Sequence, residues 1–192
     1  MMCDADWGTL DRALGKRTST LGVMLLLNGV PTAWKATKHS NSGGITKDSP
    51  MTMAVLSVAE SELYAMSALC QLGLNFHYVL EEMGIMQRPS PIIAQTDSAA
   101  AIGFASGSGK KTKIRHVDQR MEWVQELKDI DLFDWVHVPS AINKADILTK
   151  VLDKVKFKYA MDYILHGIVP QDHLDKVELK RQLEAFAGNR MI

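Results

Sequence analysis

The chain has 192 residues, 46% hydrophobic and 23% charged, as expected for a globular protein with a substantial core. Its 22 basic and 22 acidic side chains cancel, which excludes attraction of a polyanion by the chain as a whole. Two cysteines without metal-type spacing, and no apolar run of ~18–20 residues, exclude a disulfide scaffold, a thiolate metal site and a transmembrane helix. We therefore expect a soluble, intracellular protein.

The first third of the chain predicts β-structure. Residues 1–7 leave little room for a full first strand, which we expect to be truncated. The apolar runs Leu21–Leu27 and Val30–Trp34 flank Asn28-Gly29, a hairpin signal because both turn residues tolerate positive φ. A polar, glycine-rich segment over 39–50 indicates a loop, and 51–56 indicates a further strand.

A long helix is predicted from Val58 to Met83, ending at Gly84. Its helical period separates two glutamates that are close in sequence. Glu60 falls on the more polar face and is expected to point to solvent, whereas Glu62 heads the apolar stripe and must face the core. A core-facing carboxylate needs a partner or a metal ion.

The second half of the chain alternates strands and helices, which predicts one mixed sheet with helices packed on it. The predicted elements are a strand over 92–96, helices over 98–105 and 118–128, a strand over 132–138, a turn over 139–143, a helix from about Lys144 and an amphipathic helix over 172–187.

Three further acids, Asp4, Asp97 and Asp146, lie where a strand ends or a helix begins. Asp4 and Asp6 alternate on one face of an extended segment, and either could bind metal or lie exposed. Asp97 could merely cap a helix, and Asp146 in a first helical turn is favoured by the helix dipole anyway. Taken with Glu62, however, these acids indicate a carboxylate cluster of the kind that holds Mg²⁺ or Mn²⁺.

Six segments, in order, resemble the ribonuclease H domain of copia-type LTR retrotransposon Pol polyproteins. They are DADW at 4–7, RTSTLGVMLLLNGVPTAWKA from 17, SVAESELYAM from 57, QTDSAAAI from 95, RHVDQR from 115 and VPSAINKADILTK from 138. The resemblance implies a ribonuclease H-like α/β fold, with a five-stranded mixed sheet flanked by helices. It covers about 1–167 as one domain and leaves 168–192 as a C-terminal helical extension.

The resemblance also implies an activity, which is endonucleolytic hydrolysis of the RNA strand of RNA–DNA hybrids during reverse transcription. Carried over by motif, the catalytic and metal-binding residues are Asp4, Glu62, Asp97 and Asp146, holding two Mg²⁺ or Mn²⁺ ions. The implied partners are an RNA–DNA hybrid and the reverse transcriptase domain of the same polyprotein, with no membrane. The implied location is the cytoplasm, within virus-like particles, with access to the nucleus.

One basic stretch is a candidate track for nucleic-acid phosphates, although it could equally be a solvated loop leading into a helix. Its members are Lys111, Lys113, Arg115, His116 and Arg120.

Two alternative functions stay open. A truncated first strand would favour a catalytically inactive remnant that binds nucleic acid or serves a structural role. The same fold could also act as another nuclease, cutting DNA junctions or single strands.

Overall fold

The computed structural model describes residues 1–11, 16–40, 57–86, 91–108 and 115–166. The predicted strand over 51–56, the helix over 172–187 and the extension over 168–192 lie outside the described residues, as does most of the 39–50 loop. Among the helices that are described, none is both long and apolar enough to span a bilayer.

Within the described residues, five strands form a single mixed sheet, which confirms the predicted fold class. The strands are β1 (Met2–Asp11), β2 (Lys16–Leu27), β3 (Val30–Ser40), β4 (Ile92–Thr96) and β5 (Phe133–His137). In space their order is β3-β2-β1-β4-β5. The first three strands pair antiparallel, whereas β1 with β4 and β4 with β5 pair in parallel.

The central strand is β1, and the prediction that residues 1–7 leave little room for a full strand is wrong, although only Met2 and Cys3 precede Asp4 in it. It is ten residues long because its pairing with β2 continues well beyond Asp4, as far as Asp11. On its other side β1 pairs with β4 at Met2 and Gln95. Asp4 therefore lies within a strand that has neighbours on both sides.

The predicted hairpin is confirmed. Asn28 and Gly29 both have positive φ, 55° and 84°, which suits a two-residue turn between antiparallel strands. The strands on either side are longer than the apolar runs that predicted them, because polar residues as far as Lys16 and Ser40 continue the ladder.

The helices are α1 (Val58–Glu82), α2 (Ala99–Ala105), α3 (Arg115–Asp129), α4 (Asp146–Thr149) and α5 (Lys154–His166), with a 3-10 turn at Ser140–Ile142. Helices α1, α2 and α3 contact one another, and α1 also packs against β1 and β2. Their shared core includes Val23 of β2, Leu63 and Leu69 of α1, and Phe133 of β5.

Helix α4 lies on the opposite face of the sheet from α1. The side chain of Val23 is in the core beneath α1, so the neighbouring position, Gly22, faces the other side of the sheet. A Cβ atom on Gly22 would lie 2.8 Å from Leu148 Cβ and 2.8 Å from Thr149 Cγ2. Glycine at this position therefore lets α4 approach β2 closely.

Helix α1 begins at Val58 and is followed by Gly84, as predicted. The Ser57 side chain caps the N-terminus by accepting a hydrogen bond of 3.1 Å from the Glu60 backbone N–H. At the other end Gly84 adopts a φ of 70°, and the Ile85 N–H donates to the Leu80 carbonyl at 2.9 Å.

The prediction that Glu60 points to solvent is wrong, whereas the inward orientation of Glu62 is confirmed. Each residue is only 6% exposed. The polar face of α1 is covered near its N-terminus because α2 and α3 pack against the helix as well as the sheet. On that side the Arg120 guanidinium of α3 lies 4.4 Å from the centre of the Tyr64 ring.

Substituting Gly22 tests the close approach of α4 to the sheet. We expect Gly22→Ala to lower the free energy of unfolding by roughly 1–3 kcal/mol, because the added methyl group overlaps Leu148 and Thr149. The measurement is equilibrium unfolding in urea.

Gly103→Ala in α2 is the matched control. Its Cβ would make one ordinary contact, at 3.5 Å to Ser108 Oγ, so we expect no loss and a gain of up to about 1 kcal/mol from helix propensity. Equal stability of the two variants would show that α4 does not depend on glycine at position 22.

Candidate metal centre

The fold brings together three of the four predicted acids. Asp4 lies in the central strand β1, Asp97 directly follows β4, and Asp146 is the first residue of α4. One carboxylate oxygen from each lies within 4.8 Å of the other two. Asp4, rather than Asp6, is the β1 acid that belongs to this cluster.

Asp97 does not cap α2, so that alternative is wrong. The cap is Ser98, whose Oγ accepts a hydrogen bond of 3.2 Å from the Ala101 N–H. The Asp97 carboxylate accepts hydrogen bonds from Ser140 Oγ at Oδ2 and from Asn143 Nδ2 at Oδ1, the latter at 3.1 Å. Both donors come from the segment that joins β5 to α4.

Asn143 ties three parts of the site together. Besides Asp97, its Nδ2 group donates to the Cys3 carbonyl at 3.0 Å, and its Oδ1 accepts from the Ala145 N–H at 3.1 Å. The residue is buried. One amide therefore fixes the end of β4, the residue before Asp4 and the start of α4 relative to one another.

Asp4 is 2% exposed and has two partners that follow Asp146 in the chain. Thr149 Oγ1 donates to Asp4 Oδ2, and the Lys150 ammonium lies 3.5 Å from Asp4 Oδ1. A buried carboxylate requires such partners if it is to stay ionised.

Asp146 pairs with the same lysine. Lys150 Nζ lies 2.8 Å from Asp146 Oδ1, in the i, i+4 geometry of a helix. Burial raises the pKa of Asp146 to about 6, although the hydrogen bond from Lys150 opposes this rise. Burial also opposes the charge on Lys150, but its hydrogen bond to Asp146 and the charge on Asp4 raise the pKa of the ammonium overall.

Glu62 reaches the same region from α1 without joining the 4.8 Å cluster. Burial, followed by the charges on Asp4 and Asp97, raises its pKa to about 8. Its Oε2 atom is buried and has no hydrogen-bond partner among the described residues. The cost of burying such an oxygen is removed if it binds a proton or a cation.

The residues present fit a hard divalent cation. All the candidate ligand atoms are carboxylate oxygens, which Mg²⁺ and Mn²⁺ prefer, and the described part of the site holds no thiolate or imidazole ligand. Lys150 offsets only part of the charge of the three close carboxylates, and a divalent cation would offset more of it and give the unpartnered Glu62 Oε2 a binding partner.

The predicted basic stretch is only partly described. Lys111 and Lys113 lie outside the described residues, and Arg115 and His116 begin α3, although their side chains are not described. Arg120 packs its guanidinium on Tyr64. A role for these residues in binding nucleic acid stays a prediction.

Four residues of the site were missed from sequence, although all belong to one motif. The polar partners of the acids are Ser140, Asn143, Thr149 and Lys150. The motif is VPSAINKADILTK over 138–150. Spacing alone could have identified Lys150, since it follows Asp146 by one helical turn.

Comparisons with known proteins agree with this geometry. No family model matches the chain. A relative is the retrovirus-related Pol polyprotein from transposon TNT 1-94 of Nicotiana tabacum, 26% identical over 125 residues. The match covers 65% of this chain and 9% of that protein, so the chain spans only a small part of the polyprotein.

Two solved structures share its architecture. RNase H1 from the halophilic archaeon Halobacterium salinarum NRC-1 has a TM-score of 0.50 at 17% identity, covering 84% of this chain and 95% of that one. LC11-RNase H1, isolated from compost by a metagenomic approach, has a TM-score of 0.50 at 14% identity, covering 77% and 89%. The chain has the ribonuclease H-like fold. Together with the match to the Pol polyprotein, this fold confirms the predicted resemblance to a ribonuclease H domain of a transposon Pol polyprotein.

The raised pKa of Glu62 predicts how the stability of this ribonuclease H-like domain depends on pH. Between pH 4.5 and about 8 the folded state keeps a proton on Glu62 that the unfolded state releases. The contribution of Glu62 to the free energy of unfolding of metal-free protein therefore falls as the pH rises through this range. Because Glu62→Gln removes this loss, we expect the variant to exceed the wild type by roughly 1–3 kcal/mol at pH 8 and to match it near pH 4.5.

The measurement is urea unfolding at both pH values in the presence of a chelator. Glu82→Gln, at an exposed position of the same helix, is the control and should not show a pH-dependent gain. An advantage of Glu62→Gln that is the same at both pH values would contradict a raised pKa.

Proposed function

We propose that this chain hydrolyses the RNA strand of RNA–DNA hybrids during retrotransposon reverse transcription, as a metal-dependent endoribonuclease. The observation that carries the proposal is the meeting of Asp4, Asp97 and Asp146 within 4.8 Å, with Glu62 buried nearby, in a ribonuclease H-like fold. Asp4, Asp97 and Asp146 are far apart in the sequence, and the fold brings them together at one place.

The same four residues, Asp4, Glu62, Asp97 and Asp146, would hold Mg²⁺ or Mn²⁺, and we propose two ions. Bound there, the metal would supply Lewis-acid stabilisation of the charge that develops at the scissile phosphate and would lower the pKa of the attacking water.

The chain itself contributes positioning. Ser140 and Asn143 hold both oxygens of Asp97, and Thr149 holds one oxygen of Asp4. These donors fix the direction in which each carboxylate presents its remaining lone pairs, and preorganised polar groups are the main protein contribution to such catalysis. Selection of RNA would come from contacts to 2′-hydroxyl groups across the minor groove of the hybrid.

The proposed context is a Pol polyprotein of a copia-type LTR element. Because this chain matches a small part of a transposon Pol polyprotein, we propose that it works beside the reverse transcriptase domain of the same polyprotein. The two domains would then share one hybrid substrate, in the cytoplasm within virus-like particles, with access to the nucleus.

A cleavage assay tests the proposed reaction. The substrate is an end-labelled RNA–DNA hybrid, incubated with purified full chain in Mg²⁺, in Mn²⁺ and in EDTA. We expect cutting of the RNA strand only with metal. We also expect Asp4→Asn and Asp97→Asn to slow it on the order of a hundredfold or more, because each removes a carboxylate ligand.

Asp153→Asn is the matched control. This exposed acid lies close in sequence to the site, where its Oδ1 accepts hydrogen bonds from Val155 N–H and Lys156 N–H, a role that asparagine can also fill. The Asp153→Asn variant should cleave the RNA strand at the rate of the wild type. A folded wild type that binds the hybrid without cutting it would favour an inactive remnant, and cutting of DNA junctions or single strands would favour a different nuclease.

The basic stretch makes a separate prediction about substrate binding. If Lys111 and Lys113 bind phosphates, alanine at both positions should weaken hybrid binding. The slope of log affinity against log salt should also fall by about one for each phosphate that is no longer neutralised. Fluorescence anisotropy at several salt concentrations measures this slope. Lys35→Ala, at an exposed position of β3, is the control, and an equal effect of this variant would assign the change to net charge alone.

A further inference from the structure

A lysine side chain reaches into the carboxylate cluster. Lys150 Nζ lies 2.8 Å from Asp146 Oδ1 and 3.5 Å from Asp4 Oδ1, so one ammonium group bridges two acids from different elements. The residue ends α4, with an extended backbone and an N–H that donates to the Asp146 carbonyl at 3.0 Å. This backbone hydrogen bond fixes the position from which the Lys150 side chain extends towards the acids.

The ammonium has a clear effect on the metal-free site. Asp4 is 2% exposed on its side chain, so its charge is poorly screened by water and repels that of Asp146. A positive charge between them offsets this repulsion. Lys150 therefore stabilises the close approach of Asp4 and Asp146 when no metal ion is bound.

The same position creates a conflict with a divalent ion. A metal bound to Asp4 and Asp146 would lie close to the ammonium, which now contacts one oxygen of each acid, and would repel it at such short range. The Lys150 side chain is 38% exposed, so its charged end can move into water without repacking of the core.

We propose that Lys150 is a built-in counter-ion of the carboxylate cluster, which stabilises the metal-free fold and lowers the affinity of the site for divalent metal because it must be displaced when metal binds. This inference rests on the proposed function, since it takes the same four acids as the metal ligands. It assigns Lys150 a positioning role that acts through Asp4 and Asp146, with no contact to the reacting atoms.

The experiment compares metal binding and metal-free stability in full-length variants without nucleic acid. Isothermal titration with Mn²⁺ and with Mg²⁺ gives the dissociation constants, and thermal unfolding in chelator gives the stability. For Lys150→Met we expect roughly threefold to tenfold tighter metal binding, the scale of a partly exposed ion pair, together with a lower metal-free Tm. Lys150→Arg keeps the charge and should stay within about twofold of the wild type in affinity.

Two further variants serve as a control and as a substitute for Lys150→Met. Lys158→Met, at an exposed position of α5, removes an equal charge outside the cluster and should change neither quantity. Lys150→Gln keeps a polar end and gives the same comparison should Lys150→Met fail to fold without metal.

Unchanged or weaker metal binding in the uncharged Lys150 variants, or equal tightening in Lys158→Met, would overturn the inference. Hybrid cleavage by the same samples separates it from the proposed function. A wild type that cleaves, with variants of unchanged metal affinity, rejects the role of Lys150 alone. A wild type that does not cleave, with tighter metal binding in Lys150→Met, rejects the proposed reaction and supports the role of Lys150.

Discussion

Repulsion between closely placed carboxylates, of which Asp4 and Glu62 are buried, is the constraint on which this structure depends. Asp4, Asp97 and Asp146 are brought within 4.8 Å by three separate elements, and Glu62 is buried beside them. Burial, followed by repulsion from the charges on Asp4 and Asp97, raises the pKa of Glu62 to about 8. A fold keeps acids this close only if its packing and hydrogen bonds offset the repulsion between them. Function is the usual reason for retaining such an arrangement.

The segment that follows β5 supplies most of that opposition. Ser140 and Asn143 donate to Asp97, and Thr149 and Lys150 contact Asp4. The same segment carries one of the acids, Asp146. Close packing of α4 on β2, which Gly22 allows, brings these groups to the central strand. Site geometry and domain stability are thus coupled through one short helix.

Local signals in the sequence are enough to predict several elements. The strand over 92–96 has its predicted bounds, and the Asn28-Gly29 turn is predictable because its conformation is local. Helical period places Glu62 inward.

Features that depend on tertiary contacts are not predictable in this way. The burial of Glu60 is one, because it depends on α3 and α2 covering the polar face of α1. The length of β1 was missed because pairing with β2, rather than apolar residues, sustains it. Likewise, the hydrogen bond from Thr149 to Asp4 joins residues 145 positions apart.

The most direct test of the account is to locate metal in the folded protein. Crystals of the full chain soaked in Mn²⁺ would be examined by anomalous diffraction. The account predicts manganese ~2.2 Å from carboxylate oxygens of Asp4, Asp97 and Asp146. It also predicts that Lys150 Nζ has moved away from its position between Asp4 and Asp146. Well-ordered acids in the arrangement described, without manganese among them at saturating concentration, would contradict it.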